Sequence, residues 1–305
     1  LRRSRSSAER GSRFGFQEPS ASTTTRRTAT RNAAMPARDP PIAFEAKGEW
    51  YDGEIRRFVR LDNANPPPER GILFVGSSIF REWREARDFA ADLAPLPAVN
   101  RAFGGSTARD QLEEDIMRAI VFPHDPRVLV YYCGSNDLNE GASPRAIRDA
   151  FAAWSAEVLA SDASRAPSRP RGATQIVFVS INRAPQKAPL WTVLDETNAL
   201  IKAYCEANAA THAYADVNPA LFEDGAQMTV PKVKLFRDDG LHFDPRPEAR
   251  AYEAWVPTVR DAVFRAWDRA VEAEERGGTS AESGTRNERG DAGEWDPYLP
   301  PRSRR

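Results

Sequence analysis

Five short strand-like runs, separated by helix-patterned segments, restrict this chain to very few architectures. The runs cover 72–75, 98–103, 127–133, 175–181 and 213–217. The first, Ile72-Leu-Phe-Val75, is apolar throughout, as in a strand buried on both faces. The third, Arg127-Val-Leu-Val-Tyr-Tyr-Cys133, is the most β-prone stretch of the chain. Helical spacing is predicted within 44–61 (carried by Glu54–Leu61), from the turn after the first strand to about Leu93, and over 108–121, 143–159, 191–209 and 247–274. Asn-Ala-Asn-Pro-Pro-Pro closes the first of these helices, since proline cannot continue one. Strands alternating with helices imply a parallel sheet covered on both faces. In open sheets of that kind ligands bind beyond the carboxyl ends of the strands, where strand order reverses. Functional residues are therefore expected in the turns that follow the strands.

Those turns are distinctive. The first strand runs into Gly76-Ser-Ser-Ile79, placing a serine between a strand's carboxyl end and a helix's amino end. There its hydroxyl is exposed and the free N–H groups of the helix favour negative charge. Asn100-Arg-Ala-Phe-Gly-Gly105 ends the second strand, Gly134-Ser-Asn-Asp137 the third, and Asp239-Gly-Leu-His242 lies in the loop before the last helix. Taken singly, each could be an ordinary cap or turn. As an ordered set they resemble the sequence blocks of the SGNH (GDSL-type) hydrolases, from about Trp50 to the helix around Trp255.

The resemblance implies an α/β fold, a three-layer α/β/α sandwich with a flavodoxin-like five-stranded parallel sheet. It implies Ser78 as nucleophile, His242 as base and Asp239 as the carboxylate that orients it. The backbone N–H groups of Ser78 and Gly105 and the side-chain amide of Asn136 would form the oxyanion hole. Chemistry asks for the same types. A serine hydroxyl needs an adjacent imidazole to take its proton, the imidazole needs a carboxylate, and the tetrahedral intermediate needs donors. Two positions depart from the family pattern: Ser77 stands where Asp is frequent, and Ala102 where glycine is usual. Ser77 is thus the competing nucleophile and Asp238 the competing carboxylate. The activity implied is hydrolysis of a carboxylic ester, with acyl or acetyl groups on a sugar, lipid or small alcohol as substrates. The alternatives are a catalytically silent glycan- or lipid-binding member, or an acyltransferase. No cofactor and no metal are implied.

The remaining features are plain. A formal net charge of −1 gives no reason to expect nucleic acid as a partner, and the apolar runs are only strand-sized, so no transmembrane segment is expected. Cys133 and Cys205 are expected to be small buried residues rather than a disulfide framework. His124 and His212 stand where strands begin, away from the turns above, and receive no role. Lys234 and Arg237 flank the last block and could attract an anionic substrate, although solvated surface charge is the ordinary reading. Residues 1–43 form a basic leader, with nine Arg against three acidic residues in the first forty. It is expected to be disordered, as an organellar transit peptide or a mispredicted start before Met35. The catalytic domain is expected over 44–275 and a disordered tail over 276–305. A soluble protein, cytoplasmic or organellar, is the corresponding expectation for localisation.

Overall fold

A computed structural model describes residues 41–165 and 174–278. The expectations for 1–40 and 279–305 lie outside the described residues, as does part of the polar loop before the fourth strand. Five strands form one sheet: β1 (Ile72–Gly76), β2 (Ala98–Asn100), β3 (Val128–Tyr132), β4 (Gln175–Val179) and β5 (His212–Ala215). Their order is β2-β1-β3-β4-β5 and every neighbouring pair is parallel. The chain moves outward from β1 to β2, then returns across β1 to β3. The strand order therefore reverses between β1 and β3, and the crevice at their carboxyl ends is where such sheets bind ligands.

Nine α-helices accompany the strands among the described residues: α1 (Asp52–Ala64), α2 (Ser78–Ala86), α3 (Phe89–Leu93), α4 (Ala108–Leu112), α5 (Glu114–Ile120), α6 (Ser135–Asn139), α7 (Pro144–Arg165), α8 (Trp191–Ala207) and α9 (Ala251–Gly278). Alternate strand residues feed two separate cores. Ile72, Phe74, Val130, Tyr132, Val177 and Val179 pack with Trp83 of α2, Phe89 of α3 and Trp255 of α9. Leu73, Val75, Leu129, Tyr131, Ile176 and Phe178 pack with α1, α5, α7 and α8 on the other face. Successive side chains of a strand point to opposite faces, so a strand that is apolar throughout becomes the middle layer of three. The three-layer α/β/α architecture and its flavodoxin-like sheet are as the sequence predicts.

The boundaries differ in instructive places. The segment after β1 is two helices, because the chain becomes extended at Arg87 and Asp88 restarts it by accepting from the Ala91 N–H. The helix predicted over 108–121 breaks at Glu113, whose φ of −60° and ψ of 130° are extended. Both breaks come from extended backbone at single residues, which a periodicity argument cannot see. β2 pairs only to Asn100, yet Arg101 and Phe103 still donate to the Phe74 and Gly76 carbonyls. That ties the turn after β2 to the turn after β1. Gly-Ser-Asn-Asp, read as a turn, is the start of the five-residue α6.

Candidate active site

Gly76 makes the first turn possible. Its φ is +137°, and a Cβ there would lie 1.9 Å from the Tyr132 carbonyl oxygen, so no other residue can stand between β1 and β3. Ser77 follows in extended conformation, donating its N–H to that same carbonyl, with its side chain buried. Ser78 is the first residue of α2 and is half-buried. Its Oγ lies 2.9 Å from His242 Nε2. His242 Nδ1 lies 2.7 Å from Asp239 Oδ2, and Asp239 Oδ1 accepts from the N–H groups of Leu241 and His242. Desolvation pushes the Asp239 carboxyl up, but its bonds from His242 and from the two backbone N–H groups outweigh that and hold it below the usual carboxylate range. Asp238, the competing carboxylate, is exposed and makes no such bond. Serine, histidine and aspartate therefore form a continuous relay, with the imidazole able to accept from Ser78 Oγ while Asp239 holds the opposite nitrogen.

The turn after β2 wraps around the same point. Ser106 Oγ and Gln111 Nε2 both donate to the Gly76 carbonyl. Gly105 has φ +76°, and a Cβ on it would come within 3.0 Å of the Trp50 ring, so this backbone is bare on the side facing an exposed indole. From α6, Asn136 Nδ2 donates to the Ser106 carbonyl at 2.9 Å, leaving its second N–H to point elsewhere. Cys133 Sγ donates to that carbonyl too. Both cysteines are buried and free, and burial pushes Cys205 up to about 12.

Asp137 is the last residue of the Gly134-Ser-Asn-Asp block. Both its oxygens lie within bonding distance of the Ala108 N–H, at 2.9 and 3.1 Å, so it anchors the start of α4 to α6. Burial pushes its pKa up to about 6 in spite of those bonds. Between the ordinary carboxylate value and pH 6 the folded state holds a proton that the unfolded state has released, so stability falls as pH rises through that window. Asp137→Asn keeps the acceptor oxygen and removes the charge. Chemical denaturation should find the variant about 2–3 kcal/mol more stable than wild type at pH 7, with the gap closing near pH 4. A variant equally destabilised at both pH values would show that the carboxylate is needed as an ion.

Several participants had little or no signal in the sequence. Glu82, one turn beyond Ser78 on α2, is buried, with Oε1 3.8 Å from His242 Nε2 and Oε2 2.9 Å from Arg237 Nη2. Arg237 is therefore paired rather than merely solvated, which corrects the surface-charge expectation for that residue; Lys234 is exposed. The i, i+4 spacing of Ser78 and Glu82 on a helix was the one available hint. Buried Lys187 had none: its ammonium donates to the Ser135 carbonyl and Asn139 Oδ1, and desolvation pushes it down to about 8. His124 and His212 are held elsewhere, His124 Nε2 lying 3.0 Å from Asp62 Oδ2 and His212 Nδ1 bonding Thr211. Among the described residues no group of three or more His, Cys, Asp or Glu is arranged to hold a metal ion, and no helix is long and apolar enough to cross a membrane.

A family model for the GDSL-like Lipase/Acylhydrolase family matches residues 74–250, more than half of the chain. The chain belongs to that family. The match opens inside β1, two residues before Gly76, and closes beyond His242, so it spans every turn described above. GDSL-family membership makes this an acyl-hydrolysing or acyl-transferring enzyme. Among solved structures, a provisionally assigned platelet activating factor from Streptococcus pneumonia is similar with a TM-score of 0.51 at 18% identity, over 70% of this chain and 92% of that one. That likeness is one of fold. The C-terminal catalytic domain of Streptococcus pneumoniae peptidoglycan O-acetyltransferase A gives a TM-score of 0.48 at 14% identity, over 66% and 96%. The psychrotrophic esterase EstA from Pseudoalteromonas sp. gives 0.47 at 13%, over 66% and 100%. No curated protein matches the chain.

Proposed function

We propose that this GDSL-family chain hydrolyses a carboxylic ester through an acyl-enzyme on Ser78. The observation that carries the reading is the unbroken relay from Ser78 Oγ through His242 to Asp239, with contacts of 2.9 and 2.7 Å. Ser78 Oγ attacks the ester carbonyl carbon while His242 Nε2 takes its proton. The negative charge that collects on the carbonyl oxygen is met by the N–H groups of Ser78 and Gly105 and by the free N–H of Asn136. Collapse of the intermediate expels the alcohol, protonated by His242. Water then gives a proton to the same imidazole, attacks the acyl-enzyme and releases the acid, returning Ser78. Asp239 keeps Nδ1 protonated and stabilises the imidazolium in both halves.

The test combines turnover with labelling. p-Nitrophenyl acetate and butyrate should be hydrolysed by the full chain, and a fluorophosphonate should label the peptide containing Ser78 and abolish turnover. Ser77→Ala should be labelled as wild type is; if it is the variant that loses labelling, the nucleophile is Ser77. Adding an acceptor alcohol separates the two acyl-transfer outcomes, since a transferase yields the new ester in preference to the acid. Folded protein that neither turns over esters nor takes the label would favour a silent binding member.

A further inference from the structure

Three segments meet in this site without being adjacent in sequence: α2, α6 and the loop carrying Asp239 and His242. The last has no regular secondary structure of its own, and Asp239 is 46% exposed at its side chain. Something must hold it in register, because displacements of about 1 Å can cost on the order of a hundredfold in rate. One tie is Arg237 to Glu82, which joins the loop to α2.

A second tie runs through the short 3₁₀ segment Pro185–Leu190. The Gln186 N–H donates to the Gly240 carbonyl at 2.9 Å, inside the Asp239–His242 turn. The next residue, Lys187, sends its ammonium the other way, to the Ser135 carbonyl at 2.8 Å and to Asn139 Oδ1. These two acceptors bracket Asn136 on the five-residue α6. The Lys187 side chain is fully buried. Its N–H donates to the Ala184 carbonyl, closing the turn that aims Gln186 and Lys187 in different directions.

A buried ammonium is costly. Burial alone depresses this one, and no carboxylate appears among the groups acting on it. Both its bonds go to neutral oxygens, which return only part of the lost hydration. A chain seeking only to fill this space would do better with methionine or leucine. The cost is understandable if a charged donor is needed to grip a helix too short to hold its own geometry, since bonds from an ionised donor are about twice as strong as neutral ones.

We propose that Lys187 is a positioning residue, and that Gln186–Lys187 is a strut fixing Asn136 on α6 and the Asp239–His242 turn at one mutual spacing. Lys187 touches neither substrate nor reacting atoms. It acts by keeping the oxyanion donor and the base in place together. This rests on the roles proposed above for Asn136 and His242.

The experiment uses Lys187→Met, which keeps the volume and removes the ammonium, and Asn139→Ala, which removes one acceptor and leaves the charge. Each is assayed for kcat and KM on p-nitrophenyl acetate and for amide hydrogen exchange. With Lys187→Met, kcat should fall about 10- to 100-fold while KM changes less than about threefold, because the tetrahedral state is hurt more than substrate binding. Exchange should quicken in two separate segments, 135–140 and 239–242, while the core strands stay protected. Asn139→Ala should show the same two-segment pattern with a smaller loss in kcat. The proposal is overturned if Lys187→Met leaves kcat unchanged, if exchange quickens in 135–140 alone, or if it rises uniformly through the sheet. Should Lys187→Met not fold, Asn139→Ala alone decides by the same criteria. If wild type hydrolyses no ester, the esterase reading fails, while the two-segment exchange pattern still tests the strut.

Discussion

Ser78→Ala should lower kcat/KM on p-nitrophenyl esters by about 10⁴- to 10⁶-fold, leaving the fold intact. The reason is the single atom removed. The bond recorded for Ser78 Oγ is the one to His242 Nε2, and no cap of α2 depends on its side chain. Alanine is a good residue at the start of a helix, so the cost in stability should stay within about 0.5 kcal/mol. On the mechanism proposed above, what is lost is the covalent route, and the proposed oxyanion donors and imidazole alone would supply only weak catalysis of direct attack by water. Ser77→Ala is the companion. That side chain is buried, and the hydroxyl bonded to His242 is that of Ser78, so loss of the Ser77 hydroxyl should change the rate by less than about tenfold. Steady-state turnover with equal thermal midpoints checks both. A Ser78→Ala protein retaining a tenth of wild-type activity would remove the acyl-enzyme mechanism.

Asp239→Asn should cost about 10³- to 10⁴-fold in kcat, and more than Asp239→Ala. The ordering follows from proton direction. Aspartate at 2.7 Å accepts from His242 Nδ1, leaving Nε2 bare to take the serine proton. An asparagine amide can turn its NH₂ toward Nδ1, which places the imidazole proton on Nε2, where it blocks the transfer. Alanine leaves Nδ1 to water, which can accept, because the Asp239 side chain is 46% exposed. The backbone bonds from Leu241 and His242 end on Oδ1, which asparagine keeps and alanine removes, so loosening of the loop weighs on alanine. The asparagine-specific excess isolates the tautomer effect from that loosening. Alanine proving equal to or worse than asparagine would show that Asp239 acts mainly by holding the turn.

Legibility in the sequence varied with how local the cause was. Strand content, helix alternation and the small polar turns at the strand ends were readable because they depend on periodicity and on turn chemistry a few residues long. That sufficed for the parallel three-layer sheet and for where functional residues should collect. Gly76 illustrates the limit. Its turn was visible, but the reason no side chain fits is the carbonyl of Tyr132, on the neighbouring strand β3. The breaks at Arg87 and Glu113 were invisible as well, since the backbone becomes extended there without a breaker residue in the sequence to announce it.

The sequence by itself determined the elements, their order and the inventory of chemical groups, because each of these is encoded in neighbouring residues. Tertiary structure alone decided what surrounds Ser78, His242 and Asp239. It buried Glu82 beside the His242 imidazole with Arg237 as its counterion, and drove the ammonium of Lys187 under α6. Glu82 and Arg237 stand 155 residues apart in the chain, and Lys187 and Ser135 stand 52 apart. Hydrogen bonds of that kind follow from strand order. With β1 set beside β3, the ends of α2 and α6 and the returning loop share one crevice, and no linear pattern records that coincidence.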